Sequence, residues 1–419
     1  MKKILFLMNS FPATFSANVL CDEKVIKALQ EKSNVEIHCL CYKQHKRDAE
    51  YEIIQGVQVH RVTDRAMINH IKSLEDPNCK KSIAIRNYQR FKLRVKQVIF
   101  IPIYPFYEPI RWLKIAKRAK QLNKEELFDL IISEHNGLDT LISGLYLKKK
   151  FPELKWIPIF WDALAGGFMA KYLPKTYSSK RKKSLEKEIL KCCDQAIMME
   201  SQKESAMERW IDTSFWSKIQ FLNIPYLVKQ EQLGNGLELT KDKINILFAG
   251  SFSFRDPKNL IETFKSLQRK DVDLWFFTSS QYHDKLKKLV GDDERFHVCS
   301  YLSHRVLINT MKKADVFLNI GVGNSNAISG KIFEYMAFGK PIISTFTISN
   351  EACLPYLRKY PLTLLLDERD GKEVNVDKIN DFVSNNVIGR ELAYSDVAAL
   401  YPTATPKAYV DMLMGIFKE

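Results

Sequence analysis

An α/β chain of two doubly wound, parallel-sheet domains is what the sequence predicts, and three observations point to it. Short apolar runs of strand length alternate with amphipathic stretches of helix length along most of the chain, which is the rhythm of βαβ units. With 419 residues, the chain is too long for one ordinary core and suits two domains of roughly 200 residues each. Residues 228–243, rich in Gln, Gly and Glu and containing Gly234-Asn235-Gly236, have the composition of an exposed connector and split the rhythm in two.

The first half opens with Ile4-Leu5-Phe6-Leu7-Met8, a continuous apolar run of the kind a strand buried on both faces requires. An amphipathic helix is expected over 18–32, then strands at 35–42 and 57–62. Strands at 130–133, 156–160 and 195–199 follow, with a helix over 138–150 and another beyond 199. The second half repeats the pattern: strands at 244–248, 272–278, 297–299, 316–320 and 342–345, helices over 257–270, 282–290 and 306–313, and a helix that starts after Gly330. Ligands of open parallel sheets bind beyond the C-terminal strand ends, so polar residues just past those ends are the candidates for chemistry.

Composition narrows the partners. No run of about 18 uncharged apolar residues occurs, so no membrane-crossing helix is expected. Lys2-Lys3 leads into a strand that soon meets Asn9-Ser10, unlike a secretory leader. The eight cysteines form no Cys-x-x-Cys or Cys/His ligand spacing and read as reduced thiols in a cytoplasmic protein without structural zinc. Residues 1–225 carry 39 Lys and Arg against 25 Asp and Glu, whereas residues 226–419 carry 25 against 24. One-sided basicity of this size points to an anionic surface. Within residues 86–122, Tyr88, Phe91, Val95 and Val98 recur at helical spacing beside Arg86, Arg90, Arg94 and Lys96, and Trp112, Ile115 and Ala119 recur beside Arg111, Lys114, Lys117 and Arg118. An aromatic, almost uncharged hinge lies between them. Such a segment either lies on an anionic membrane or buries its apolar faces in the core. Nucleic acid is the weaker partner, since no recognised binding motif accompanies the charge.

The most informative stretch is Ser329-Gly330-Lys331-Ile332-Phe333-Glu334-Tyr335-Met336, entered from the strand-like run at 314–321. A strand, a glycine-containing turn and a helix start offer free backbone N–H groups to an anion. Lys331 adds a cation, and Glu334 adds an acceptor for sugar hydroxyls one turn later. The spacing from Gly323 to Gly330-Lys331 is two residues too long for a nucleoside-triphosphate P-loop, and Ile332 stands where that loop needs Ser or Thr.

This stretch resembles the donor-nucleotide motif of glycosyltransferase family 4-like enzymes. The resemblance implies the GT-B architecture, two Rossmann-like doubly wound domains facing a central cleft. It implies an acceptor-side domain over 1–227, with a helix in 404–419 packing back on it, and a nucleotide-sugar domain over 241–403. The segment 218–225 is similar to the one that closes the N-terminal domain in that family. The implied reaction is retaining transfer of a sugar from a nucleotide diphosphate-sugar to a glycan or lipid-linked acceptor, without metal ion or further cofactor. The implied place is the cytoplasmic face of a membrane. Epimerases of nucleotide sugars and non-catalytic subunits are the rival readings; an epimerase would convert the donor without any acceptor.

By the same resemblance, donor binding falls to Ser251, Arg255, Lys258, Tyr301, Asn326, Ser329, Gly330, Lys331 and Glu334. The family's Arg after the first glycine is replaced by Ser251, which leaves Arg255 and Lys258 to grip the diphosphate, Lys258 being the better placed in sequence. The first of two glutamates seven residues apart falls on Asn326, an amide that keeps hydrogen bonding and loses charge. Tyr301 either meets the nucleobase or packs its own loop. On the acceptor side Asp162, His135 and Glu134 follow strand ends and are the candidates for catalysis.

Overall fold

The computed structural model describes the chain apart from residues 13–16, 33, 46, 64–87, 89–90, 93, 97, 106–108, 136, 168–172, 232–233, 253–254, 324, 326–327, 388 and 418–419, and the side chains of residues 109, 110 and 386. Two compact units make up the chain: Met1–Asn223 with Tyr409–Glu419, and Ile224–Ala408.

The first unit is built on eight strands: β1 (Lys2–Leu7), β2 (Val35–Tyr42), β3 (Tyr51–Ile54), β4 (Val57–Val62), β5 (Leu130–Glu134), β6 (Lys155–Phe160), β7 (Ala196–Met199) and β8 (Ile219–Leu222), in the spatial order β3-β4-β2-β1-β5-β6-β7-β8. All neighbours are parallel except β3 and β4. That pair turns through Gln55 and Gly56, both at positive φ, as a two-residue hairpin requires. The hairpin strand β3 has no buried residue, so it lacks the apolar run by which a strand is recognised in sequence. The long helix Lys175–Cys192 was equally hidden, because it buries just five residues, Ser178, Leu185, Glu186, Ile189 and Leu190, in a lysine-rich stretch.

Close packing decides one glycine of this unit. Trp156 on β6 is among the largest fully buried side chains and donates its Nε1–H to Ser133 Oγ at 2.9 Å. The helix Asp139–Lys150 crosses above it at Gly144, where a Cβ would come within 2.3 Å of Trp156 Nε1 and 2.9 Å of Ser133 Oγ. No side chain fits there.

The second unit is a six-stranded, wholly parallel sheet of β9 (Ile244–Ala249), β10 (Val272–Thr278), β11 (Phe296–Ser300), β12 (Val316–Asn319), β13 (Ile342–Phe346) and β14 (Thr363–Asp367), ordered β11-β10-β9-β12-β13-β14. Residues 228–243, expected as a free connector, are tied to this unit. Leu237 N–H donates to Thr310 Oγ1 at 2.9 Å, and Asn245 Nδ2 donates to the Thr240 carbonyl at 2.9 Å. Gly339 turns the chain after the motif helix at φ +73°, with Leu392 O only 2.0 Å from where a Cβ would stand.

The basic segment divides in two. The helix Pro109–Glu126 buries Ile115, Ala119 and Leu122 in the first unit's core. Arg111 reaches inward to Asp139 at 3.0 Å and covers the Tyr42 ring at 4.4 Å. Core burial is therefore the outcome for this half. In the hinge, Tyr104 is buried against Ser178, and Arg181 holds its carbonyl at 2.8 Å. Tyr88, Phe91, Val95, Val98, Ile99 and Ile103 are instead exposed. Arg86 and Arg90 lie outside the described residues. No helix among the described residues is long and apolar enough to cross a membrane.

Replacing Gly144 by Ala forces a methyl group into Trp156 and is expected to destabilise the first unit by about 1–3 kcal/mol. A urea titration followed by tryptophan fluorescence reads this as a lower midpoint; an unchanged midpoint would show that the helix can rise without loss.

Candidate functional site

Strand order reverses between β9 and β12 in the second unit and between β1 and β5 in the first. At such reversals the following loops part and leave a crevice beyond the strand ends. The loops that leave β9 and β12 carry most of the expected donor residues.

Arg255 ties these loops together. Its Nε donates to the Ile320 carbonyl at 2.8 Å, Nη1 to the Ser251 carbonyl at 3.0 Å and Nη2 to Ser329 Oγ at 3.0 Å. Burial pulls its affinity for the proton down, opposed by Tyr335, Cys353 and Glu351, yet a guanidinium stays charged. Lys331, one third exposed, pairs with the buried carboxylate of Glu334. Burial acts to lower the Lys331 pKa, but Glu334 and Tyr335 outweigh it and hold it above the ordinary lysine value. The imidazole of His304, largely exposed, stands 3.9 Å from the other Glu334 oxygen. Arg255 thus bonds the turn Ser329-Gly330 directly, and the Lys331–Glu334 pair follows it in the first turn of the motif helix. Gly330 is pressed on Ile224 and Tyr226, 3.2 Å from its would-be Cβ.

The motif helix is only six residues long, Lys331–Met336, so its dipole is small and the cations must supply the positive field. Two residues that the sequence reading passed over hold the motif in place. Tyr335, fully buried and stacked on Phe317 at 4.6 Å, accepts the Ala249 N–H at 3.0 Å and so pins the motif helix to the end of β9. Glu351, 1% exposed, accepts the Val322 N–H at 2.6 Å beneath the loop that leaves β12. Both are distant in sequence from the loops they support, and only the aromatic at 335 follows from the motif itself.

The remaining donor candidates are spread out. Ser251 Oγ lies 3.3 Å from Tyr282 Oη. Lys258 is more than half exposed in the first turn of the helix Lys258–Lys265 and faces Glu262 at 3.9 Å. Of the two cations, Arg255 is the one bonded to the Ser329 turn. Tyr301 is 53% exposed. Asn326 lies outside the described residues. A polar hollow lined by Asn259, Glu262, Thr345, Glu368 and Lys372 contains none of the expected donor residues.

In the first unit, the ends of β1, β5 and β6 bring together Asn9, Glu134, His135 and Asp162. His135 Nδ1 lies 2.7 Å from the Asp162 carbonyl. A carbonyl only accepts, so Nδ1 carries the hydrogen and the neutral ring presents a bare Nε2. Burial lowers the His135 pKa, and Lys182 on the helix Lys175–Cys192 acts in the same direction against the bond to Asp162. The Asp162 carboxylate is exposed and accepts Asn18 Nδ2–H at 3.1 Å. Its loop is fixed from below, where the buried Glu186 accepts the Ala165 N–H at 2.8 Å and Trp210 Nε1–H at 2.7 Å. Glu134, expected at the reacting face beside His135, is turned inward at 1% exposure and accepts the Asn9 N–H at 2.8 Å. There it faces Asp22, a buried acid on the helix Ala17–Gln30 whose neighbours in sequence gave no sign of it.

One His/carboxylate group among the described residues has metal-ligand spacing: Glu36, His38 and Glu126, with ligand atoms within 4.8 Å of one another. Each already has a protein partner, since Gln58 donates to Glu36, His60 lies 3.1 Å from His38, and Lys3 donates to Glu126 at 2.6 Å.

Residues 243–384 match the family described as glycosyl transferases group 1. No curated protein sequence matches the chain. Among solved structures, sucrose-phosphate synthase from Thermosynechococcus elongatus is similar with a TM-score of 0.64 at 14% identity, over 100% of this chain and 98% of that one. A trehalose-6-phosphate structure from E. coli bound with UDP-2-fluoro glucose gives 0.62 at 11% identity, over 100% and 99%. UDP-GlcNAc 2-epimerase from Methanocaldococcus jannaschii gives 0.53 at 12% identity, over 99% of both chains. At these identities the likeness speaks for the fold. The chain has the GT-B glycosyltransferase fold, and residues 243–384 of its second unit match the glycosyl transferases group 1 family.

Proposed function

We propose that the protein is a metal-independent, retaining hexosyltransferase, moving a sugar from a nucleotide diphosphate-sugar to a glycan or lipid-linked acceptor in cell-surface polysaccharide or glycoconjugate synthesis. The observation that carries this reading is the bond from Arg255 to Ser329 at the turn that leads into the Lys331–Glu334 pair, inside the region that matches the group 1 family. The E. coli protein of the same fold is bound with a uridine diphosphate sugar, which supports a nucleotide donor here.

In this reading the anomeric C–O bond to the β-phosphate breaks, a new bond forms to the acceptor oxygen, and the acceptor proton passes to the departing phosphate. The leaving diphosphate gains charge as the bond breaks. Fixed cations stabilise that state more than the ground state and so raise the rate. Arg255 is suited to this because three hydrogen bonds hold it before any ligand arrives, so little reorganisation remains to be done. Glu334 keeps Lys331 in place and offers its carboxylate to a hydroxyl. Asp162 and His135 orient the acceptor beyond the strand ends of the first unit, while the departing phosphate takes its proton.

The exposed apolar residues Tyr88, Phe91, Val95, Val98 and Ile99 stand beside Lys92, Arg94 and Lys96. In this reading they seat the protein on the anionic cytoplasmic face of a membrane, where lipid-linked acceptors reside.

Arg255→Ala and Lys331→Ala are each expected to weaken binding of UDP, GDP or ADP, whichever binds, by about 1.5–3 kcal/mol, the range for hydrogen bonds to charged groups. Lys258→Ala is expected to change it by under about 0.5 kcal/mol, as for an exposed surface charge. Isothermal calorimetry decides the order; a larger loss at Lys258 would return the diphosphate to the helix start.

Asp162→Asn and His135→Ala are expected to slow transfer by roughly a hundredfold while leaving nucleotide affinity unchanged, as loss of groups that position the acceptor does. The assay supplies nucleotide sugars with and without a membrane extract as acceptor source. Conversion of the donor sugar without acceptor would identify an epimerase instead. Nucleotide-sugar binding without hydrolysis or transfer, with activity gained in Asn326→Glu, would identify a non-catalytic subunit.

Triple replacement of Phe91, Val98 and Ile99 by Ser is expected to abolish sedimentation with anionic vesicles and to leave nucleotide binding intact. Wild-type protein that ignores anionic vesicles at low salt, where such attraction is strongest, rules the membrane contact out.

A further inference from the structure

Asp22 and Glu134 meet inside the first unit, where Asp22 is 0% and Glu134 1% exposed, and their carboxyl groups lie against each other. The outer oxygens are satisfied: Glu134 Oε1 accepts the Asn9 N–H at 2.8 Å, and Asp22 Oδ1 accepts Trp161 Nε1–H at 3.2 Å. The inner oxygens, Glu134 Oε2 and Asp22 Oδ2, are buried and receive no N–H or O–H from any described residue.

Two ionised carboxylates facing each other away from water repel strongly and lose their hydration. Two protonated ones set O–H against O–H at the inner oxygens and leave one donor without an acceptor. One proton between the inner oxygens satisfies both, with O–H on one carboxyl and a charge-assisted acceptor on the other. We propose that Asp22 and Glu134 retain a single shared proton and together act as the positioning element for His135 and for the loops that leave β1 and β6.

The connectivity supports this. Glu134 precedes His135 and holds the backbone of Asn9 after β1; Asp22 holds the ring of Trp161, whose neighbour Asp162 accepts the His135 Nδ1 hydrogen. Trp161 in turn lies 5.6 Å from the ring of Tyr409, which donates to the Asn223 carbonyl at 2.6 Å. Among the described residues, the titratable groups around the pair are Cys21, Glu23 and Lys24 on the same helix, Cys39 on β2, the neutral His135 next to Glu134, Asp162 beyond β6 and Tyr409 near the C-terminus. Lys24 is the one cation among them, so the surroundings favour keeping the proton. Burial, the largest influence on both, pushes Asp22 well above and Glu134 above the usual carboxylic range.

A group whose folded pKa lies above its unfolded one stabilises fully below the unfolded value, and that stability is lost as pH rises toward the folded value. The ratio of folding constants, wild type over Asp22→Asn, is therefore expected to fall about tenfold per pH unit above about pH 5, for one retained proton. Infrared difference spectra near neutral pH are expected to show a protonated-carboxyl band in the wild type that is missing from both Asp22→Asn and Glu134→Gln. The ring 15N signals of His135 are expected to shift in Asp22→Asn and to stay in Lys258→Ala. A pH-independent ratio, a wild type without the band, or a band that survives in both variants overturns the shared proton; an unmoved His135 overturns its positioning role. Should Asp22→Asn fail to fold, Glu134→Gln carries the same three measurements. The consequence for turnover rests on the transferase reading, whereas the proton, the stability ratio and the His135 signals do not. A missing transfer activity with the band intact would overturn that reading alone.

Discussion

Both units depend on one topological constraint: a parallel sheet wound on both faces must reverse its strand order, and the two loops at the reversal have no crossover helix between them. In the first unit the reversal lies between β1 and β5, and in the second between β9 and β12. The loops of every notable polar residue leave from these strands or their immediate neighbours. Asn9 follows β1, His135 follows β5 and Asp162 follows β6. Arg255 follows β9, and the turn at Ser329 follows β12. Loops that part in this way leave their backbone groups unpaired, and side chains must bridge them. Arg255 does so in the second unit by bonding the carbonyls of Ser251 and Ile320 and the hydroxyl of Ser329. The Asp22 and Glu134 carboxyls do so in the first, by holding Asn9 and Trp161.

The two bridges carry opposite charge and solve opposite problems. Arg255 is a part-buried cation held by three hydrogen bonds, and Lys331 is a one-third exposed cation paired with Glu334. Asp22 and Glu134 are acids shut away from solvent, and burial of both as anions would be costly. With six residues the motif helix has only a weak dipole of its own. Glu334 prevents the motif from becoming a patch of uncompensated positive charge, and its own burial at 1% exposure is tolerable because Lys331 is its partner.

The basic segment shows how one sequence pattern takes two fates. Apolar residues at helical spacing among Lys and Arg occur on both sides of the hinge. Beyond it, Ile115, Ala119 and Leu122 enter the core, while Arg111 is drawn inward by Asp139 and the face of Tyr42. Before it, Phe91, Val98 and Ile99 remain exposed. A helix's own periodicity states which face is apolar and not what covers that face.

By itself the sequence determined the α/β class, most of the strands and the motif at 329–336, because continuous apolar runs and a strand, glycine and helix succession are local properties of the chain. It also placed His135 and Asp162 at strand ends, since a polar residue after a buried strand is legible without neighbours. Tertiary structure alone decided the rest. Strand β3 buries nothing and the helix Lys175–Cys192 is rich in lysine and buries few residues, so neither advertises itself. The bond from Arg255 to Ser329 joins residues 74 apart. Asp22 looked like an ordinary helix carboxylate until folding set it against Glu134 and Trp161, 139 residues away from the latter. Contacts of that range depend on which strands become neighbours at a reversal of order, and strand order is a property of the whole sheet that no window of sequence contains.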